Sequence, residues 1–152
     1  MSAKKKGTLV PEKISIINTQ IVKCNIDSPF DFSMENIEGH SFDLDFELAF
    51  NLDDSLVKAD FVLNVSTKSK EEVEVESVGE FHFVYIFHVG NLNELAIPNE
   101  NKEISLHGGL GNALASITYS TSRGILIARL KGTDLENFVL PVINPNSLLK
   151  KQ

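Results

Sequence analysis

Hydrophobic and polar residues alternate along four stretches of the first ninety residues, a pattern typical of half-buried β-strands. The clearest stretch is 41–52, where apolar residues occupy every second position and polar residues, mostly acidic, separate them. Polar residues 51–54 favour a turn, and alternation resumes from Val57 to Val65, so these stretches predict a β-hairpin. The weakest stretch, 13–26, has apolar residues on both parities, which favours an edge or interface strand.

The longest predicted strand, 73–87, follows a polar turn at 68–72. Aliphatic and aromatic residues share one parity of this strand, and Gly79 marks a bulge or bend. The opposite parity is acidic and carries Glu72, Glu74, Glu76, Glu80, His82 and His88. Such a face either keeps the protein soluble or docks a basic partner.

The hydrophobic period changes after Gly90 and indicates a principal helix over 104–122. Its glycines and its Ser/Thr-rich end give it poor helix propensity, so packing must stabilise it. Gly124 stands where a C-terminal cap is expected.

Two apolar segments, 125–130 and 138–143, are separated by a turn and are expected to pair locally. Asn144 followed by Pro145 predicts the start of a short helix that reaches Leu149. The chain therefore predicts an α+β fold, in which a four-stranded antiparallel sheet carries one long packed helix and a short C-terminal helix.

Composition limits the classes of protein that remain. The 152 residues suit a single domain, 1–152, with a flexible segment over residues 1–10. No apolar run approaches the roughly 20 residues of a membrane-spanning helix, and the N-terminus lacks a signal-peptide pattern. The single cysteine, Cys24, excludes an intrachain disulfide and suits a reducing cytoplasm. The net charge of -7 argues against nucleic acid and favours basic or unfolded partners.

Signals of catalysis are weak. The glycines of 108–111 lack the Lys-Ser/Thr that follows in a phosphate-binding loop, so close helix contact explains them better. His82 and His88 are about 20 Å apart along a strand, too far to bind one metal ion. His40 and His107 belong to no metal or nucleophile pattern. We expect no catalytic residue, metal site or cofactor, and no enzymatic activity.

The aromatic residues are more informative. The chain has ten phenylalanines and no tryptophan, and Phe30, Phe32 and Phe138 lie outside the predicted strands. Surface connections rarely expose such side chains to solvent. These residues either cover the core or line a groove for apolar segments of another chain.

Three local patterns resemble the SecB family of protein-export chaperones. The stretch 73–81 has that family's acidic strand followed by glycine and phenylalanine, and 122–124 has its Ser-Arg-Gly helix end. The stretch 140–144, followed by Leu148, is similar to the family's terminal Pro-Val-Asn segment. Because the order of predicted elements also agrees, the resemblance covers nearly the whole chain.

The resemblance implies a single SecB-like domain that assembles into a cytoplasmic homotetramer, a dimer of dimers. Such a chaperone holds unfolded client polypeptides, either preproteins during protein transport and translocation or an antitoxin of a toxin–antitoxin system. It implies docking of the translocation ATPase on an acidic face, here Glu72, Glu74 and Glu76. The sequence departs from the family at Ile21 and Asn25, where acidic residues are expected, and in its basic tail, 150–152.

A client-binding groove is the functional site that the resemblance implies. Its predicted lining is Phe30, Phe32, Met34, Phe42, Phe81, Phe83, Tyr119, Phe138, Leu140 and Leu149. Two other classes remain open: a small-ligand-binding protein or enzyme that uses the space between sheet and helix, and a purely structural oligomeric subunit.

Overall fold

A four-stranded antiparallel sheet organises the computed structural model, which describes residues 7–73 and 75–149. Its strands are β1 (Ile14–Asp27), β2 (Ile37–Asn51), β3 (Leu56–Ser69) and β4 (Val78–Val89). They lie in the order β1-β4-β3-β2, so β1 returns beside β4 in a Greek-key arrangement. The four predicted strands are therefore confirmed, and β1 lies at an edge of the sheet as expected.

Shorter elements follow the sheet. Helix α1 (Leu92–Leu95) leads into a small hairpin of β5 (Ala96–Pro98) and β6 (Ile104–Leu106). The long helix α2 (Gly108–Arg129) packs on one face of the sheet, and the short helix α3 (Asn146–Leu149) follows it. The predicted α+β class is confirmed.

The core lies between α2 and the inner face of the sheet. Cross-strand partners share a face, and the pairs Phe61–Phe83 and Leu63–Phe81 of β3 and β4 are fully buried. Tyr85 lies in the same layer, and its hydroxyl is 2.7 Å from the Ser122 hydroxyl of α2. Helix α2 contributes Leu110, Leu114, Ala115, Thr118, Tyr119, Ser122 and Leu126 to this layer.

The predicted hairpin turn between β2 and β3 is confirmed. The side-chain oxygen of Asn51 accepts a hydrogen bond from the backbone N–H of Asp54 at 3.1 Å. Ser55 adopts a positive φ of 57°, which brings the chain into β3.

Two irregularities in β1 explain its mixed pattern. The register with β4 shifts by one residue between Ile16 and Asn18 and again between Ile21 and Lys23. Ile16, Ile21 and Cys24 consequently all pair with buried inner-face residues of β4, although their parities differ. Bulges, rather than burial of both faces, produce the mixed alternation.

Strand β4 begins at Val78, so the prediction of a strand from residue 73 was wrong. The Glu76 carboxylate accepts hydrogen bonds from the Thr67 hydroxyl at 2.6 Å and from the Ser69 backbone N–H at 3.0 Å. The backbone N–H of Ser77 donates to the Thr67 hydroxyl oxygen at 3.0 Å. One backbone bond remains, from the Thr67 N–H to the Ser77 carbonyl at 3.0 Å, and side chains take the place of the other ladder bonds at the end of β3.

The principal helix was misplaced by the sequence pattern. It covers Gly108–Arg129 rather than 104–122, because Ile104–Leu106 pairs with β5. Gly124 lies inside the helix, and the positive φ after its end is at Gly132, at 78°. Buried residues continue at helical spacing beyond Gly124, at Leu126 and Leu130, so the helix does not end there.

The local pairing predicted for 125–130 and 138–143 was also wrong, because the first segment mostly belongs to α2 and the second forms neither helix nor strand. The start of α3 agrees with prediction, since the side-chain oxygen of Asn144 accepts from the Asn146 backbone N–H at 3.1 Å. Within the predicted flexible segment, the carbonyl of Thr8 accepts from the Asn91 side chain at 3.0 Å. Residues 1–6 of that segment lie outside the described residues.

Candidate functional site

Two connections meet at the end of the sheet where β2 begins and β3 ends. They are the β1–β2 connection (28–36) and the β3–β4 connection (70–77), and the Lys70 backbone N–H joins them by donating to the Asn36 carbonyl at 2.6 Å. A cavity of about 290 Å³, the connection cavity, lies between them. It is lined by Pro29, Asp31, Phe32, Ser33, Asn36, Ser69, Val73 and Val75.

Half of the residues that line the connection cavity are apolar, and Phe30 lies in the chain between two of the lining residues. Phe30 has a relative exposure of 108%, so its ring lies wholly in solvent. Val75, which lines the cavity, is also exposed. An aromatic and aliphatic surface of this kind, gathered at a cavity, is typical of a site that binds another molecule.

A second cavity, of about 150 Å³, lies further along β2. Phe42 contributes to the second cavity and is 38% exposed. Its full lining is Ser41, Phe42, Asp43, Asn64, Val65, Ser66 and Val78.

Residues 131–143, named here the strap, connect α2 to the C-terminal region across the inner face of this end of the sheet. Leu135 is fully buried against Gly79, where an added Cβ would lie 2.7 Å from the Leu135 Cδ1 atom. The Tyr119 hydroxyl donates a hydrogen bond to the Pro141 carbonyl. The strap therefore rests directly on the core.

The Phe138 ring of the strap lies against two rings of β2. Its centroid is 5.5 Å from that of His40 and 5.5 Å from that of Phe42, at interplanar angles of 56° and 59°. The Nε2 atom of His40 is buried and has no hydrogen-bond partner among the described residues. Burial lowers the pKa of His40, because the charged ring loses its hydration there.

The predicted groove residues fall into separate places. Phe30, Phe32 and Met34 share the β1–β2 connection, and Phe42 lies at the start of β2. Leu149 is partly buried against the core. The other five are buried in the core and present almost no surface to another molecule in this conformation: Phe81, Phe83, Tyr119, Phe138 and Leu140.

Sequence reasoning missed Val73, Val75 and Val78 as site residues, because the period-2 pattern assigned them to one continuous strand. It also treated His40 as a residue without a role. The position of Val73 and Val75 beside Phe32 depends on tertiary structure, and Val78 lines the second cavity.

Two of the three predicted acidic docking residues, Glu72 and Glu76, lie outside the strands of the sheet. Glu72 is exposed in the β3–β4 connection, and Glu74 lies outside the described residues. Hydrogen bonds to the Glu76 carboxylate, foremost that from the Thr67 hydroxyl, lower the pKa of Glu76. Of the described residues, Glu72 is thus solvated and Glu76 already has partners.

A different set of acidic residues covers the outer face of the sheet. Glu47 and Asp60 are direct cross-strand partners, and Asp60 accepts from His82 at 2.8 Å and pairs with Lys58 at 3.4 Å. A shallow depression of about 460 Å³ lies here. We call this set the outer acidic face: Asp43, Asp45, Glu47, Asp60 and Glu80, with Glu80 ion-paired to Lys23.

Across residues 7–73 and 75–149, no group of three or more His, Cys, Asp or Glu side chains is arranged to hold a metal ion. In the same part of the chain, no helix combines the length and apolar character needed to cross a membrane. Cys24 is a free, exposed thiol.

No protein-family model and no curated protein sequence matches this chain. Among solved structures, the fold is similar to the SecB-like chaperone Rv1957 of Mycobacterium tuberculosis, determined with a ChAD peptide from the Rv1956 HigA1 antitoxin. The TM-score is 0.58 at 13% identity, over 87% of this chain and 91% of that chain. A protein of unknown function from Streptococcus agalactiae aligns with TM-score 0.33 and 13% identity, over 85% of this chain and 97% of that one. This chain therefore has a SecB-like fold.

Proposed function

We propose that this protein is a molecular chaperone that holds unfolded polypeptides on apolar surface, without enzymatic activity. The observation that carries the proposal is the connection cavity, where Phe32 lines the wall and Phe30 lies fully in solvent. The SecB-like fold supports it, because the similar Rv1957 structure is that of a chaperone with a bound antitoxin peptide.

The physical basis of binding is burial of apolar area. Each square ångström removed from water contributes about 25 cal/mol, and the gain depends little on sequence. A cavity of about 290 Å³ has room for one large side chain of a client. The exposed side chains of Phe30 and Val75 contact the client residues on either side of it. Several such contacts along one unfolded chain add through avidity.

A homotetramer built as a dimer of dimers is part of the proposal. Strand β1 is an edge strand of 14 residues whose Ile16, Ile17, Ile21 and Val22 are exposed. An unpaired edge with exposed apolar residues favours pairing with a second copy of the same chain. The exposed side of α2, which includes Ser120, Gly124 and Ile127, carries little charge and suits packing against another helix.

Two kinds of client fit this role. The antitoxin peptide of the Rv1957 complex favours an antitoxin of a toxin–antitoxin system. Preproteins in cytoplasmic protein export are the other kind. For these clients, the proposed docking surface for the translocation ATPase is the outer acidic face. The alternative predicted from the sequence is Glu72, Glu74 and Glu76.

A suppression assay tests the chaperone. The wild-type protein should reduce light scattering from a chemically denatured test enzyme, and Phe30→Ser/Phe32→Ser should need at least about tenfold more protein for the same effect, because two rings no longer bury area. Val142→Ser, which alters an exposed valine outside both cavities, is the matched control. Absence of suppression by the wild-type protein would contradict the proposal.

A small-ligand-binding protein or enzyme is the rival class. A thermal-shift screen with metabolites and nucleotides separates the two, because a ligand specific for the native state raises Tm. A client-holding chaperone should show no such shift with these compounds.

A further inference from the structure

The strap lies on the inner face of the sheet much as an extended polypeptide would. Phe138 and Leu140 are buried, whereas Val139 between them and Val142 beyond them are exposed. Residues 138–143 form neither helix nor strand. Alternate burial of side chains along a segment without regular secondary structure is the pattern expected of a bound unfolded chain.

The strap is also held by few polar contacts. Among the described residues, its backbone hydrogen bonds are local, as in Phe138 N–H to the Leu135 carbonyl at 2.9 Å. Its polar links to the sheet and α2 are Tyr119 to the Pro141 carbonyl and Ser77 to Asp134 at 3.4 Å. Apolar packing therefore contributes most of what fixes its position.

The contact surface of Phe138 has a definite shape. His40 and Phe42 are two positions apart on β2, so they share the inner face and form a pair of rings, the aromatic seat. The Phe138 ring is tilted against both rings and is 5% exposed. An aromatic ring of another chain in this place would contact the same two rings, His40 and Phe42.

The aromatic seat has one polar atom that the strap leaves without a partner. The buried Nε2 of His40 has no hydrogen-bond partner among the described residues, and Phe138 offers it none from its ring. A buried polar atom of this kind is costly. A backbone carbonyl of a polypeptide crossing β2 would satisfy this atom when the His40 ring carries its proton on Nε2.

We propose that Phe138 occupies, within its own chain, a site for an aromatic side chain of a client, and that client binding displaces the strap from the aromatic seat. This inference rests on the proposed chaperone function and deepens it. Phe138 is then an occupant of the groove rather than part of its wall. The strap competes with clients for the seat. The apparent affinity for a client is the intrinsic affinity multiplied by the fraction of molecules in which the seat is empty.

Two peptides and two variants test the competition. The probes are a short unstructured synthetic peptide with one phenylalanine and no tryptophan, and the same peptide with alanine at that position. Phe138→Ala should bind the phenylalanine peptide about tenfold more tightly than the wild-type protein does, because the competitor is gone. The alanine peptide should bind both proteins equally. Val139→Ala, an exposed change in the strap, should leave both affinities unchanged.

A fluorescent reporter measures displacement directly and does not depend on the alanine variant folding. The chain has no tryptophan, so Phe138→Trp supplies a single emission signal. Saturating phenylalanine peptide should move this emission to longer wavelength as the indole leaves the seat.

Three results are decisive. Peptide binding with unchanged Phe138→Trp emission, or equal weakening of both peptides by Phe138→Ala, would overturn the displacement proposal while leaving the chaperone function intact. Failure of the wild-type protein to bind either peptide would contradict the chaperone function, and the seat with it.

Discussion

At the scale of single residues, His107 stabilises the start of α2 with its side chain. Its Nδ1 atom accepts hydrogen bonds from the backbone N–H groups of Gly109 at 3.1 Å and Leu110 at 3.3 Å. An Nδ1 that accepts requires the proton of the neutral ring to be on Nε2. The imidazole therefore does the work usually done by an Asn or Ser cap.

Removal of this cap should be measurable. His107→Ala should lower the free energy of unfolding by about 1 kcal/mol, whereas His107→Asn should keep most of it, since Asn is a good N-cap. Urea unfolding of the three proteins gives the comparison. Equal losses in the two variants would contradict capping by this side chain.

His40 makes stability depend on pH. Because burial lowers its pKa from 6.5, the unfolded chain binds a proton between these two pKa values that the folded chain does not. The free energy of unfolding therefore falls as the pH drops below the unfolded value. Between about pH 7.5 and about pH 5.5, the Tm of the wild-type protein should fall more than that of His40→Gln. Parallel Tm curves for the two proteins would contradict this effect.

Gly79 provides a test of the strap contact. An added Cβ would lie 2.7 Å from both Leu135 Cδ1 and Phe81 Cε2, so Gly79→Ala should cost about 1–3 kcal/mol of stability through overpacking. Gly39→Ala, where nothing lies within 4 Å, is the control in another strand. Thermal unfolding should separate the two variants, and matching Tm values would argue against the close contact. The sequence predicted a bulge or bend at Gly79, but the strand pairing is regular there, and the glycine instead leaves room for Leu135, which lies 56 positions away.

At the scale of elements, α2 continues to Arg129 because Leu126, and Leu130 just after the helix, extend the buried stripe. Gly124 is exposed within the helix and has open space around its Cα. At protein concentrations low enough to dissociate the proposed oligomer, Gly124→Ala should therefore raise the free energy of unfolding by about 0.5–1 kcal/mol, by helix propensity alone. A decrease in urea midpoint would show that a side chain at this position meets a neighbour, as in an oligomer.

Period-2 alternation predicted the β2–β3 hairpin well, because one face of these strands is buried and the other solvated. It failed over 73–77. There the Thr67 hydroxyl accepts from the backbone N–H of Ser77, and the Glu76 carboxylate accepts from the backbone N–H of Ser69. It was ambiguous in β1, where two bulges change the phase. Alternation thus predicts strands reliably only where no side chain or bulge interrupts the ladder.

At the scale of the whole molecule, exposed apolar residues on β1 predict self-association. Ile17→Lys/Val22→Lys places charges on two residues that are each 56% exposed, so the monomer should remain folded while its assembly is lost. Val142→Lys, at a position 88% exposed away from β1, is the matched control. Sedimentation velocity should give a smaller particle for the β1 variant alone, and an unchanged tetramer would exclude β1 as an interface.

The candidate site was partly predictable. The phenylalanines of the β1–β2 connection were recognised because aromatic residues are unusual in an irregular segment. The strap could not be recognised, since the contact of Phe138 with His40 joins residues almost a hundred positions apart. The outer acidic face was predicted on β4, but most of its carboxylates come from β2 and β3.

Size exclusion with light scattering tests the central claim most directly. The protein is run alone and with a permanently unfolded polypeptide, such as a reduced and alkylated protein. We expect the unfolded polypeptide to elute with the oligomer, with a mass equal to their sum, and Phe30→Ser/Phe32→Ser to lower the bound fraction while keeping the oligomer mass. Separate elution of the wild-type protein and the unfolded polypeptide, at concentrations where the oligomer is intact, would contradict it.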